Sequence, residues 1–237
     1  MSRLIFIFLV CIFCSDSTAQ PQHVEQRALA LYDAPRDRQI PVAIYASTIK
    51  AHLPVVILNH GYTVKNTEYS FLANALAQQG YYVVSIQHDL KDDQPLPKTG
   101  NIFEKRKPFW LRNVQNILHT LSALKEMDST LNVEKVILIG HSNGGDSAMM
   151  FATQYPQRVA HVISLDSLRY PFPTKDKIQI LTLRAHDTQA DAGVLPKSGV
   201  TIIHMKNTKH IDFCDRGPSQ VKKEVIQTVM KFLNEAS

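Results

Sequence analysis

Residues 135–151 read KVILIGHSNGGDSAMMF, an apolar run that ends in Gly140-His141-Ser142-Asn143-Gly144-Gly145 and passes at once into small residues and methionines. This is a G-x-S-x-G pattern, and it sits where the pattern has mechanical meaning, after a strand and before a helix. A serine on so sharp a turn needs a strained backbone and neighbours without side chains, which explains the flanking glycines. Gly145 and Ala148 continue the theme as a helix of small residues.

The rest of the chain follows the same grammar of strands separated by crossover helices. Apolar runs predict strands at 28–33, 40–45, 54–60, 81–86, 135–140, 161–166, 178–184 and 200–205. The last six are nearly unbroken, as in strands covered on both faces. Helical spacing places Tyr69, Leu72, Ala75 and Leu76 on one face, with Gly80 where the helix stops. Leu111, Val114, Leu118, Leu121 and Lys125 form a second such stripe, and Val221, Val225, Val229 and Phe232 a third. The expected class is α/β, with a mostly parallel sheet and helices on both faces. Two stretches are irregular: 87–110, expected to fold over one end of the sheet, and 185–199. The interval from Asp166 to Ile178 is too short for a cap domain, so the binding site should be accessible.

A length of 237 residues, 44% hydrophobic and 20% charged, fits one globular domain. Residues 1–19 differ in kind: Arg3 precedes the apolar run Leu4 to Cys14, and small residues lead to Ala19. Eleven apolar residues fall short of the roughly 18 needed for a membrane span. The segment therefore reads as a cleaved secretory signal before a domain at 20–237, in a secreted or periplasmic protein. Its removal would leave Cys214 alone, a packed residue without a disulfide partner. The net charge of +5 is scattered, and its densest cluster, FEKRKPF at 103–109, reads as a solvated face, so nucleic acid is not an expected partner.

A serine hydroxyl needs a base, and the base needs an acceptor to orient it. His210, in the loop after the last strand, lies where the order serine, acid, histidine would place the base. His60 and His141 are expected as packing or hydrogen-bonding neighbours of the site, and His186 and His204 as structural residues. Asp166 and Asp187 each follow a strand between Ser142 and His210, and either can serve as the acid. Asp191 is a lesser candidate, as is Asp212, expected to steady the histidine loop. The backbone N–H groups of Asn143 and Tyr62, the latter in His60-Gly61-Tyr62 after a strand, are the expected oxyanion donors.

Together these residues resemble the α/β-hydrolase superfamily, and within it the branch of platelet-activating-factor acetylhydrolases and related bacterial esterases. The likeness covers about residues 54–216. HGYTVKNTEYSFLANALAQQGYYVVSIQH looks like that branch's oxyanion loop, helix and strand, and IGHSNGGDSA looks like its nucleophile elbow. In that branch the acid follows the strand after the elbow, with a proline a few residues on, and Asp166 with Pro171 in SLDSLRYPFP matches this. Asp187 occupies the position that most other α/β-hydrolases use. The resemblance implies an α/β-hydrolase fold without a large cap. It implies a secreted serine hydrolase cleaving short-acyl or lipid-like carboxylic esters through a Ser142-His210-Asp166 triad and an acyl-enzyme, with no cofactor or metal. Acyl transfer or amide cleavage by the same triad, and an inactive binding protein of this fold, are the competing expectations. Phe103, Phe109 and Trp110 are expected either to pack in the core or to meet an apolar acyl chain or a membrane surface.

Overall fold

The computed structural model describes residues 23–47, 54–174 and 178–235; the expected signal segment, 1–19, lies outside them. Eight strands form one sheet: β1 (Val24–Asp33), β2 (Arg38–Ser47), β3 (Pro54–Asn59), β4 (Val83–Ile86), β5 (Asn132–His141), β6 (Val159–Leu165), β7 (Gln179–Arg184) and β8 (Thr201–His204). Their order is β1-β2-β4-β3-β5-β6-β7-β8. The two pairings made by β2 are antiparallel, and from β4 to β8 all are parallel. Every expected strand is present, with ends that differ by a few residues.

Side-chain alternation explains how two layers of helices fit this sheet. Val55 and Ile57 of β3, Val136 and Leu138 of β5 and Val162 of β6 face one way, into a core shared with α2 (Ile102–Met127) and α3 (Asn143–Gln154). Val56, Leu58, Ile137, Ile139 and Ile163 face the other way, into a core shared with α1 (Ser70–Gln78) and α4 (Ser219–Glu235). Because β3, β5, β6 and β7 are parallel, their C-terminal ends meet at one edge. Asn59 lies beside Gly140, His141 beside Leu165, and Leu165 beside Leu183. Such an edge is where open α/β sheets bind ligands.

Three expectations need correction. Residues 87–101 are irregular, but 102–110 are helical, and α2 runs through Pro108. Asn101 starts that helix by accepting the Glu104 N–H on its side chain, and Pro108 lies on the exposed face, where the bond it cannot donate is the least costly. Of the expected stripe Val114 and Leu121 are buried, but the buried apolar face runs through Trp110, Val114, Ile117, Leu121 and Leu124, and Leu111 is exposed. Finally, β8 is not covered on both faces. It is an edge strand paired only with β7, and Thr201, Ile202 and His204 are exposed.

Two features of this frame give measurable consequences. Helix α1 has no cap of its own. The Asp215 carboxylate, distant in sequence, accepts the Ser70 and Phe71 N–H groups at 3.0 and 3.1 Å, while Arg216 pairs with Glu68. Asp215→Ala is expected to lower the unfolding free energy by about 1–2 kcal/mol in urea titrations. The functional edge also buries three histidines. His60 Nε2 accepts the His88 N–H (2.8 Å), and His88 Nε2 donates to Asn59 (2.9 Å). Burial lowers the pKa of His60 and His88, and burial with the nearby His210 brings His141 down to about 3. Folded-state values below the unfolded one mean that stability is present above about pH 6.5 and is lost as pH falls below it. His141 alone accounts for about 2 kcal/mol by pH 5. Burial raises Asp146 to about 6 against three amide donors, so its proton uptake opposes the loss by about 1 kcal/mol. Denaturation midpoints should fall from pH 7 to pH 5.

Candidate active site

The turn after β5 is built as its sequence requires. Ser142 sits at φ 52°, ψ −122°, its N–H bonded to Leu165 O at 3.0 Å and its C=O accepting the Asp146 N–H at 3.0 Å. A Cβ on Gly140 would come within 2.5 Å of Gly145 Cα, and one on Gly144 would collide with the carbonyl oxygens of Asn59 and His60. The first turn of α3 is thus pressed against the ends of β5 and β3. Its leading N–H groups, Asn143 first, have no intrahelical acceptor and carry the positive end of the helix dipole. The Trp110 indole N–H donates to Asn143 Oδ1 at 2.8 Å and holds that side chain.

Asp166 follows β6 at φ 61°, and its side chain is wholly buried. Its Oδ2 accepts from His210 Nδ1 at 2.6 Å and from the Thr188 hydroxyl; its Oδ1 accepts from Arg184 at 2.8 Å and from the Ala185 N–H at 3.2 Å. Burial disfavours the charged carboxylate, but these partners, His210 and Arg184 foremost, hold its pKa below the ordinary value. Arg184, itself buried, also donates to Ser167 O at 2.6 Å. His210 stands at the start of a 3-10 turn, His210–Phe213, with its side chain about a quarter exposed.

The structure brings Asp166, not Asp187, to the imidazole. Asp187 instead accepts the backbone N–H of His210 at 2.7 Å and holds the loop. Asp212 caps the same turn through the Lys209 N–H, and Asp191 pairs with Arg169. Tyr62 follows β3 in a turn closed by the Val64 N–H on Gly61 O, and its hydroxyl accepts the Leu96 N–H. His60 Nδ1 meets Gly61 O at 2.7 Å, and His141 Nε2 meets His210 O at 2.9 Å, so both histidines neighbour the site through hydrogen bonds. His186 bonds Thr208 O, His204 is exposed on the edge strand, and Cys214 is buried with its thiol directed at Ile211 O. Trp110 is a core residue, Phe103 stacks on Tyr170, and Phe109 lies under the Arg112 guanidinium.

Sequence reasoning missed three residues. Arg184 had a signal, a charge that terminates an apolar strand at the functional edge. Asp146 had one too, an acid in the first turn of a small-residue helix; its Oδ1 accepts the N–H groups of Leu168, Arg169 and Tyr170 and so fixes the loop after Asp166. Tyr69 read as an ordinary core residue, and nothing in its spacing revealed that its hydroxyl bonds Gly61 and His141.

The chain is similar to (lyso)-N-acylphosphatidylethanolamine lipase of Mus musculus, with 34% identity over 80 residues, 33% of this chain and 22% of that protein. The stretches it matches span 15–38% of its curated relatives' own lengths. Among solved structures, ferulic acid esterase from Streptomyces cinnamoneus superposes with a TM-score of 0.64 at 16% identity, covering 84% of this chain and 78% of that one. Dienelactone hydrolase from Anabaena variabilis gives 0.63 at 14% identity, covering 90% and 98%. These neighbours share the α/β-hydrolase fold, as the elbow led one to expect. Within that superfamily a family model, Chlorophyllase, matches residues 17–182, well over half of the chain. With its strained serine turn and its mostly parallel sheet, the chain belongs to the chlorophyllase family of α/β-hydrolases.

Proposed function

We propose that this protein is a serine hydrolase of carboxylic esters, with Ser142 as nucleophile, His210 as general base and Asp166 as the acid that orients it. The observation that carries this reading is the 2.6 Å bond from His210 Nδ1 to a buried carboxylate, beside a turn that holds Ser142 at positive φ. The names of its relatives and neighbours, lipase and esterase among them, agree.

In the reaction, the Ser142 hydroxyl attacks the ester carbonyl while His210 Nε2 takes its proton. Asp166 keeps the Nδ1 proton and stabilises the imidazolium without becoming protonated itself. The Asn143 N–H, at the free end of α3, and the Tyr62 N–H receive the developing oxyanion. His210 then returns its proton to the departing alcohol, and water repeats the sequence on the acyl-enzyme. Short-acyl or lipid-like esters are the proposed substrates. The connection from β6 to β7 bears no inserted helix among its described residues, which supports an open approach. Export directed by residues 1–19 is part of the same proposal and rests on their sequence.

The test is hydrolysis of a p-nitrophenyl ester series from acetyl to palmitoyl. Ser142→Ala should lower kcat by at least about 10⁴-fold, and Asp166→Asn by about 10²–10⁴-fold through loss of the correct tautomer. Asp187→Asn, which touches only the backbone of the loop, should cost less than about tenfold. An Asp187→Asn effect larger than that of Asp166→Asn would assign the acid to Asp187. No turnover of any ester by folded protein would reject the reading.

A further inference from the structure

One set of buried groups is left without a role by the reaction above. The Gly61 N–H donates to the Tyr69 hydroxyl at 2.8 Å, that hydroxyl lies 2.8 Å from His141 Nδ1, and His141 Nε2 lies 2.9 Å from His210 O. Tyr69 and His141 are both buried. The direction of the proton chain is forced. A carbonyl only accepts, so His141 carries its proton on Nε2; Nδ1 is then a lone pair, and the Tyr69 O–H donates to it. The tyrosine oxygen still has a lone pair for Gly61. Every donor and acceptor is used, provided that His141 is neutral.

These three bonds join elements that are remote in sequence. Gly61 belongs to the loop that carries Tyr62, His141 immediately precedes Ser142, and the far carbonyl belongs to His210. The packing is as close as the bonding, since a Cβ on Gly61 would approach His141 Nδ1 to 2.7 Å. We propose that Tyr69 and His141 are positioning residues that clamp the Tyr62 loop and the His210 loop in one register, setting the distance between oxyanion donor and base. The proposal deepens the ester-hydrolase reading and rests on it. Burial keeps the ring unprotonated: with His210 nearby, it lowers His141 to about 3. The groups facing this ring are Tyr69, which immediately precedes α1, His210 and Phe213 from the last loop, and, more remotely, Asp166 and His60.

The test uses the full chain and p-nitrophenyl acetate. Tyr69→Phe keeps the ring in its pocket and removes both hydroxyl bonds, so kcat should fall by about 10- to 100-fold with KM within about twofold, as expected of misplaced rather than missing groups. His141→Leu should behave alike, His141→Gln, whose amide can accept from Tyr69 and donate to His210 O, should recover most of the loss, and the Tyr69→Phe/His141→Leu double variant should be no worse than its worse parent. Wild-type kcat in Tyr69→Phe, or losses that multiply in the double variant, would overturn the proposal. Should His141→Leu fail to fold, Tyr69→Phe and His141→Gln decide the matter. The ¹⁵N spectrum of the imidazoles decides it independently of turnover: a neutral His141 protonated on Nε2 is expected, and an Nδ1-protonated ring would contradict the relay. An inactive wild-type protein would reject the ester-hydrolase reading, and the spectrum would still judge the relay.

Discussion

A backbone held at φ 52° and ψ −122° does not persist by itself, and at Ser142 it costs on the order of 1–3 kcal/mol that the surroundings must outweigh. They do so by position. Strand β5 lies between β3 and β6, with both its faces buried, and the helix that follows has no freedom to retreat because Gly144 rests on the carbonyl oxygens of β3. Relaxing the turn would mean lifting α3 from the sheet and exposing Met149, Met150 and Phe151, all buried. The fold thus spends part of its packing on placing one half-buried hydroxyl, and the other features of the edge take their places around it.

Electrostatics at that edge follow a single rule: each buried charge is matched and each buried imidazole is neutral. Asp166 has four donors for its two oxygens, with the Arg184 guanidinium among them. A carboxylate so fully supplied stays ionised despite its burial and keeps the His210 ring in one orientation. The histidines at 60, 88 and 141 serve as rigid hydrogen-bonding plates that read backbone and side-chain partners in fixed directions. Neutral rings can do this in a dry environment; a protonated one would lose an acceptor and carry an unmatched charge.

Much of this was legible in the sequence because it follows from periodicity and chain order. The apolar runs located all eight strands, and Ser142, Asp166 and His210 come in the order the fold demands. What escaped was of two kinds. Local rules misjudged the start of α2, which falls within the expected irregular stretch, 87–110, although Asn101 caps the helix and Trp110 anchors it in the core. Side-chain partnerships between distant segments escaped as well. Arg184 with Asp166, Asp146 with the amides of 168–170, and Tyr69 with Gly61 and His141 depend on how loops close in space, which spacing along the chain does not encode. The choice between Asp166 and Asp187 belongs here also, since both follow strands and only the curl of their loops separates a bond to the imidazole from a bond to the backbone.

The central claim is that this strained turn presents a reactive serine. Its most direct test is to treat the folded protein with a fluorophosphonate and locate the adduct by peptide mass spectrometry. The account predicts one adduct per chain, on the peptide that contains Ser142, and none in Ser142→Ala. Folded wild-type protein that remains unlabelled, or carries its adduct on another residue, would contradict it.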